Sequence, residues 1–257
     1  MDAAEFDRLV ARARDPRLIP GIYNYCDRRC PRCAFTQRCL TFLDSEELKP
    51  EQAVERSLAD TLGDSLQRTF EMLTDAARRE GFDIEAPEEE QTAESAADSL
   101  DRHRQDPLAV RAREYGQLAW RISRAVAPIA AARDDTPLVE AVETIDWFSS
   151  MISSKIYRAI CGQADGWEGA GEVQTDFNGS AKIALIGIGE SQRAWRVLME
   201  TGRATADGVP ARAVDMLDAL DADVRSRFPK AMEFVRPGFD KPTVTQDGPA
   251  TTSSDTP

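Results

Sequence analysis

Apolar side chains recur at steps of three and four residues in five long stretches of the 257-residue chain. That period places them on one face of an α-helix, and no stretch shows the strict alternation of a half-buried strand. The sequence therefore predicts an all-α fold. Long helices joined mostly by short connections favour an antiparallel bundle of four to five helices. The predicted helices cover residues 50–81, 107–132, 136–162, 178–201 and 210–235.

Two of these helices contain residues that qualify the prediction. In the fourth, residues 183–189 are apolar on nearly every face, which indicates a central helix whose Gly187 and Gly189 allow close approach of neighbours. A buried strand is the alternative for this run alone, because periodicity cannot separate the two in so short a stretch. In the second, Pro128 predicts a kink or an end, since proline lacks the backbone N–H that a helix uses.

The formal net charge of −13 is concentrated in two polar segments. Residues 83–106 have a net charge of −7 and no helical period, so we predict a flexible acidic linker there. Residues 237–257 are rich in Pro, Thr, Ser and Asp, which predicts a disordered tail. The chain thus divides into a cysteine-rich region at 1–49, a helical bundle at 50–236 that contains the linker, and the tail.

Four of the five cysteines lie within fourteen residues, at Cys26, Cys30, Cys33 and Cys39. Thiols this close oxidise readily, so we predict that all four bind one metal centre; spectator cysteines are the structural alternative. Structural zinc usually takes two C-x2-C pairs separated by a long loop, whereas compact cysteine runs are typical of [4Fe–4S] clusters. The spacing, C-x3-C-x2-C-x5-C, therefore favours a [4Fe–4S] cluster over the alternative, Zn²⁺.

Three resemblances accompany this spacing. The stretch Cys30-x2-Cys33-x5-Cys39 is similar to the last three ligands of the iron–sulfur loop in helix-hairpin-helix DNA glycosylases, and this implies the cluster type without glycosylase activity. Cys26-x3-Cys30-x2-Cys33 resembles the radical-SAM spacing, although that family has a partial (β/α) barrel and leaves open the iron that Cys39 would occupy. The segment from Ile19 to Cys39 also resembles a group of bacterial helical proteins of unassigned function.

Other chemistry-bearing residues are few. His103 is the single histidine and lies in the acidic segment, which disfavours a di-iron site or a Ser-His-Asp triad. Cys161 ends the third predicted helix and is interpreted as a small core residue. Two carboxylates and two lysines fall on the third and fourth helices, and a polar pocket between them is the alternative to four surface positions. They are Asp146, Lys155, Lys182 and Glu190.

The predicted metal loop is also rich in arginine, at positions 28, 29, 32 and 38. These side chains can offset the negative charge of four thiolates, or they can form a docking patch for an acidic partner. Nucleic acid is a third and disfavoured partner that only this arginine-rich loop supports. The chain outside the two acidic segments is close to neutral, so its net charge argues neither for nor against nucleic acid. The residues predict a metal protein for electron transfer, redox sensing or partner docking. The alternatives are a zinc-stabilised interaction module and an enzyme with a polar pocket in its bundle.

The sequence has no run of eighteen apolar residues, and its first fourteen residues are charged. We therefore expect no membrane span and no secretory signal, with the cytoplasm as the default location.

Overall fold

The computed structural model describes residues 10–47, 58–81, 101–133, 135–164, 166, 172–200 and 208–240. These residues form helices, turns and bends and contain no strand, so the prediction of an all-α chain is confirmed for them. No helix among them is both long and apolar enough to cross a lipid bilayer. The main α-helices within the described residues are α1 Leu40–Glu47, α2 Leu58–Glu80, α3 Pro107–Ala132, α4 Thr136–Ala164, α5 Asp176–Glu200 and α6 Val209–Arg227.

Helices α3 to α6 pack around one hydrophobic core. Each contacts the next along the chain, and α6 also contacts α3. The largest side chains of the core are fully buried, among them Tyr115, Phe148 and Trp195. The Trp195 indole N–H donates to the Tyr115 hydroxyl at 3.1 Å, so the polar atoms of these two residues are paired inside the core.

The apolar run at residues 183–189 belongs to helix α5, as predicted, and not to a strand. A Cβ atom at Gly187 would lie 2.8 Å from the Phe148 ring, so glycine permits the close packing of α5 on α4. Gly189 has no such role, since a Cβ there would meet only the Arg193 side chain, at 3.9 Å. The prediction of close approach is therefore confirmed for Gly187 and wrong for Gly189.

Helix α3 spans Pro107–Ala132, the range that the sequence predicts. It continues through Pro128, because a proline so close to the end removes only one hydrogen bond from the last turns. Of the two effects predicted for Pro128, an end of the helix is therefore wrong. The predicted linker is also too long, since residues 101–104 are helical and Asp106 caps α3. The Asp106 carboxylate accepts from the Leu108 N–H at 2.9 Å and from Arg227 at 2.6 Å. Residues 83–100 of the linker lie outside the described residues.

Three side chains of the apolar stripe that predicts helix α2 are exposed. They are Leu66, Phe70 and Leu73, at 70%, 68% and 59% exposure. The sequence places this helix in the bundle, but these three residues lie outside the core shared by helices α3 to α6. Residues 50–57, where the helix was predicted to begin, lie outside the described residues.

Candidate metal centre

The cysteine loop, which comprises residues 19–39, is closed at its base by a backbone hydrogen bond. The Ile19 N–H donates to the Arg38 carbonyl oxygen at 2.9 Å. Between these ends the chain forms three tight 3-10 turns of three residues each. They span Ile22–Asn24, Cys30–Arg32 and Thr36–Arg38.

All four clustered cysteines border one cavity inside this loop. Side chains three residues apart in a 3-10 turn lie on the same side, which is why the C-x2-C spacing brings Cys30 and Cys33 to the same cavity. The four thiols are half-buried and free. The cavity is small, with a volume of about 20 Å³. Other side chains that line it include Ile22, Thr36, Phe42 and Phe239.

In the part of the chain that the structure describes, no three Cys, His, Asp or Glu side chains are placed to hold a single metal ion. Cys161 does not border the cavity. It is half-buried on α4, so its interpretation as a core residue is only partly correct.

Burial and mutual proximity oppose ionisation of the thiols. Burial raises the pKa of Cys26, and the neighbouring Cys39 thiol acts in the same direction, while the Arg28 N–H opposes the rise by donating to Cys26. Burial also raises the pKa of Cys30, to which Cys39 and Cys33 add. A cation bound beside Cys26 and Cys30 would favour their thiolate forms and so oppose both effects.

Two backbone N–H groups are directed at sulfur atoms of the loop. The Phe35 N–H donates to the Cys33 Sγ at 3.4 Å, and the Arg28 N–H donates to Cys26. Arg28 adopts the left-handed conformation, with a φ of 55°, which turns the chain between Cys26 and Cys30. Donors of this kind stabilise a negatively charged sulfur site.

Side chains of α4 hold the first half of the loop through its carbonyl oxygens. The Lys155 Nζ donates to the Asn24 oxygen at 2.7 Å, and the Trp147 indole N–H donates to the Asp27 oxygen at 2.7 Å. These two bonds flank Cys26 and fix its backbone against the helical core.

Tyr25 joins the same part of the loop to helix α5. Its hydroxyl donates to the Asp176 carboxylate at 2.9 Å, and its ring lies 4.6 Å from that of Phe234. Burial and the Asp176 carboxylate raise the pKa of Tyr25 to about 12. The ring packs directly on the backbone of Gly179, where a Cβ atom would collide with it. Tyr25 and Gly179 therefore form one closely packed contact between loop and core.

The C-terminal strap, residues 231–240, covers another side of the loop. The Phe239 ring lies edge-on to Phe35, with centroids 5.1 Å apart, and Phe239 also borders the cysteine cavity. Gly238 has a φ of +79° and packs against Ile19 and Ile22. The prediction that the disordered tail begins at residue 237 is therefore wrong for 237–240, because these residues pack on the loop. Residues 241–257 lie outside the described residues.

Lys182 of helix α5 anchors this strap from beneath. It is only 8% exposed, and its Nζ donates to the carbonyl oxygens of Phe234 at 2.6 Å and Met232 at 3.1 Å. It also pairs with the Asp240 carboxylate at 2.7 Å. Burial alone would raise the pKa of Asp240, but hydrogen bonds from Arg236 and Lys182 hold it well below its usual range.

The four polar residues for which the sequence offered a common pocket do not share one. They are Asp146, Lys155, Lys182 and Glu190. Lys155 and Lys182 hold different parts of the loop and strap, as described above. Asp146 accepts from the Ser123 hydroxyl at 2.7 Å, and Glu190 pairs with Arg193 at 2.5 Å. His103 is half-buried in the short helical turn at 101–104 and does not border the cysteine cavity.

The arginines of the loop have different surroundings. Arg29 donates to the Thr144 hydroxyl at 3.3 Å, and Arg32 lies 3.6 Å from the Glu143 carboxylate, so both face α4. Arg38 donates to the Arg17 carbonyl oxygen at 3.2 Å. The exposed Arg28 side chain has no hydrogen bond or ion pair with any residue that the structure describes.

The sequence marks Lys182 only as a candidate for a polar pocket, and its role in holding the strap was not predicted. Phe239 was not predicted as part of the site at all. Phe239 had one usable signal, since it is an isolated aromatic residue in a polar segment. Comparisons of the chain with protein-family models, with curated proteins and with solved structures find no match.

Proposed function

We propose that Cys26, Cys30, Cys33 and Cys39 hold one [4Fe–4S] cluster, each cysteine binding one iron. The observation that carries the proposal is the single cavity that all four half-buried thiols border. Spectator cysteines would have no reason to line one cavity inside a loop that is anchored on three sides.

The sequence spacing of the cysteines supports a cluster over a single zinc ion. All four lie within fourteen residues, and one C-x2-C pair is flanked by single cysteines. Structural zinc usually takes two C-x2-C pairs separated by a long loop, whereas compact cysteine runs are typical of [4Fe–4S] clusters.

The role we propose is that of a redox centre for electron transfer or redox sensing with a protein partner. When bound, such a cluster accepts and donates single electrons. The residues of this chain bind it, limit the access of water and tune its potential. Phe42 and Phe239 cover the cavity with apolar surface, and the N–H groups of Arg28 and Phe35 stabilise added negative charge on the sulfurs.

We also propose that the four core helices run antiparallel to their chain neighbours. Only residues 133–135 separate α3 from α4, and a connection this short requires the second helix to return along the first. In this arrangement the cysteine loop would lie against the rigid helices α4 and α5.

The experiment is anaerobic purification of the full chain, followed by iron, zinc and sulfide analysis and a visible spectrum. We expect a brown protein with about four irons per chain, as one four-thiolate cubane requires. Cys33→Ser should remove or convert the cluster, while the matched variant Cys161→Ser should retain it, since Cys161 lies away from the cavity. A colourless protein with one zinc would refute the cluster and keep the ligands. Loss of metal in Cys161→Ser would refute the ligand set.

A further inference from the structure

A second, larger pocket lies between the cysteine loop and helix α4. Its volume is about 430 Å³, within the range of about 300–1,000 Å³ that is usual for small-molecule sites. It is separate from the cysteine cavity, and Arg28 is the residue common to both linings. The pocket is lined by Arg28, Trp147, Ser150, Met151, Ser154, Lys155 and Arg158.

The charged groups of this lining are all positive. They are Arg28, Lys155 and Arg158. Two nitrogens of the Arg158 guanidinium donate to the Asp176 carboxylate, at 2.6 and 2.9 Å. The charge of this carboxylate offsets one of the three positive charges. The Lys155 ammonium donates one hydrogen bond, to Asn24, and has two further protons. The net charge around the pocket is therefore positive by two, and like charges held around a concave space attract an anion.

The hydrogen-bond donors of this lining differ in whether they already donate to other groups of the protein. The Arg28 guanidinium, exposed and without an ion pair among the described residues, has all of its donors available. The Ser154 hydroxyl donates to the Ser150 carbonyl oxygen at 2.9 Å, whereas no described group accepts from the Ser150 hydroxyl. Guanidinium, ammonium and hydroxyl donors around one space match the oxygens of a phosphate group.

We propose that this pocket binds a small organic phosphate, with the phosphoryl group on Arg28, Lys155 and Ser150. A phosphate alone would leave much of the 430 Å³ unfilled. The half-exposed indole of Trp147 and the Met151 side chain provide the apolar surface on which the organic part packs. The site does not require a metal in the loop, so it stands apart from the proposed cluster.

The test uses the full chain, purified anaerobically, in isothermal titration with phenyl phosphate and, separately, inorganic phosphate. We expect one saturable site per chain, with phenyl phosphate bound more tightly than inorganic phosphate. Arg28→Gln should weaken binding about tenfold or more, equivalent to about 1.4 kcal/mol. Ser150→Trp should abolish binding without changing the charge, because the indole fills the pocket.

The matched control is Arg124→Gln. Arg124 is also an exposed arginine near an indole, 6.0 Å from the Trp120 ring, but it lies on α3 outside the pocket. The Arg124→Gln variant should bind phenyl phosphate as tightly as the wild type. Equal losses in Arg28→Gln and Arg124→Gln, with no loss in Ser150→Trp, would show general charge attraction and overturn the proposal. Absence of saturable binding to the wild type would overturn it too. Iron content, measured on the same samples, reports on the cluster independently.

Discussion

Replacing Lys182 by methionine tests the claim that a buried ammonium ties the strap to the core. Methionine keeps most of the aliphatic stem and removes the donors to two carbonyl oxygens and to Asp240. Removing one partner of a buried ion pair costs about 3–5 kcal/mol. Asp240 keeps its pairing with Arg236 at 2.8 Å, so we expect the low end, a loss of about 3 kcal/mol in the free energy of unfolding.

The assay is urea unfolding of the full chain followed by circular dichroism, with thermal unfolding as a second measure. For a domain of this size, a loss of about 3 kcal/mol lowers Tm by about 6–12 °C. The matched control is Lys230→Met, which breaks an exposed pair with Glu172 and should cost no more than about 1 kcal/mol. If Lys182→Met is as mild as Lys230→Met, the strap is not anchored as we describe. A cluster that assembles and persists normally in Lys182→Met would contradict the link between strap and cavity.

Three further outcomes follow from the loop contacts. Tyr25→Phe should lose about 1 kcal/mol at neutral pH, the contribution of one hydrogen bond. The pKa of Tyr25 is about 12 in the folded chain and about 10 in the unfolded chain. Its contribution to the free energy of unfolding is therefore full below about pH 10 and is lost as the pH rises towards 12. Alkaline unfolding curves of wild type and Tyr25→Phe should converge. The stability advantage of wild type over Asp240→Asn should shrink as the pH falls below about 4, the ordinary aspartate pKa, because the folded pKa of Asp240 is lowered; an advantage independent of pH would refute the pairing. Gly179→Ala should lower the free energy of unfolding by about 1–3 kcal/mol, because the new Cβ collides with Tyr25. Gly189→Ala has open space for its Cβ and should raise the free energy of unfolding by up to about 1 kcal/mol through helix propensity. Equal effects of the two variants in denaturant unfolding would count against the packing of Tyr25 on Gly179.

Local patterns predicted the helices and the grouping of the cysteines. Helices α3 to α6 follow from apolar steps of three and four, because that period is a property of each segment alone. The placement of Cys30 and Cys33 at the same cavity likewise depends only on a short turn. The end of the predicted acidic linker was less accurate, since Asp106 is held by Arg227, which lies far away in the sequence.

Contacts between distant segments were beyond the sequence. Lys182 binds carbonyl oxygens fifty and fifty-two residues further along the chain, and any residue has a carbonyl oxygen, so no side-chain pattern marks the partner. The exposure of Phe70 in α2 was equally hidden, because an amphipathic stripe predicts a helix without saying what covers its apolar face. Phe239 belongs to a segment whose composition predicts disorder, and contacts with distant residues such as Phe35 hold it in place.

The position of the strap has a consequence for the order of events during synthesis. The loop cysteines are translated early, whereas Phe239, which borders their cavity, is translated two hundred residues after Cys39. Until then the nascent chain presents thiols that lack this cover. An early encounter with oxidants or stray metal ions would therefore reach the cysteines before the strap is in place.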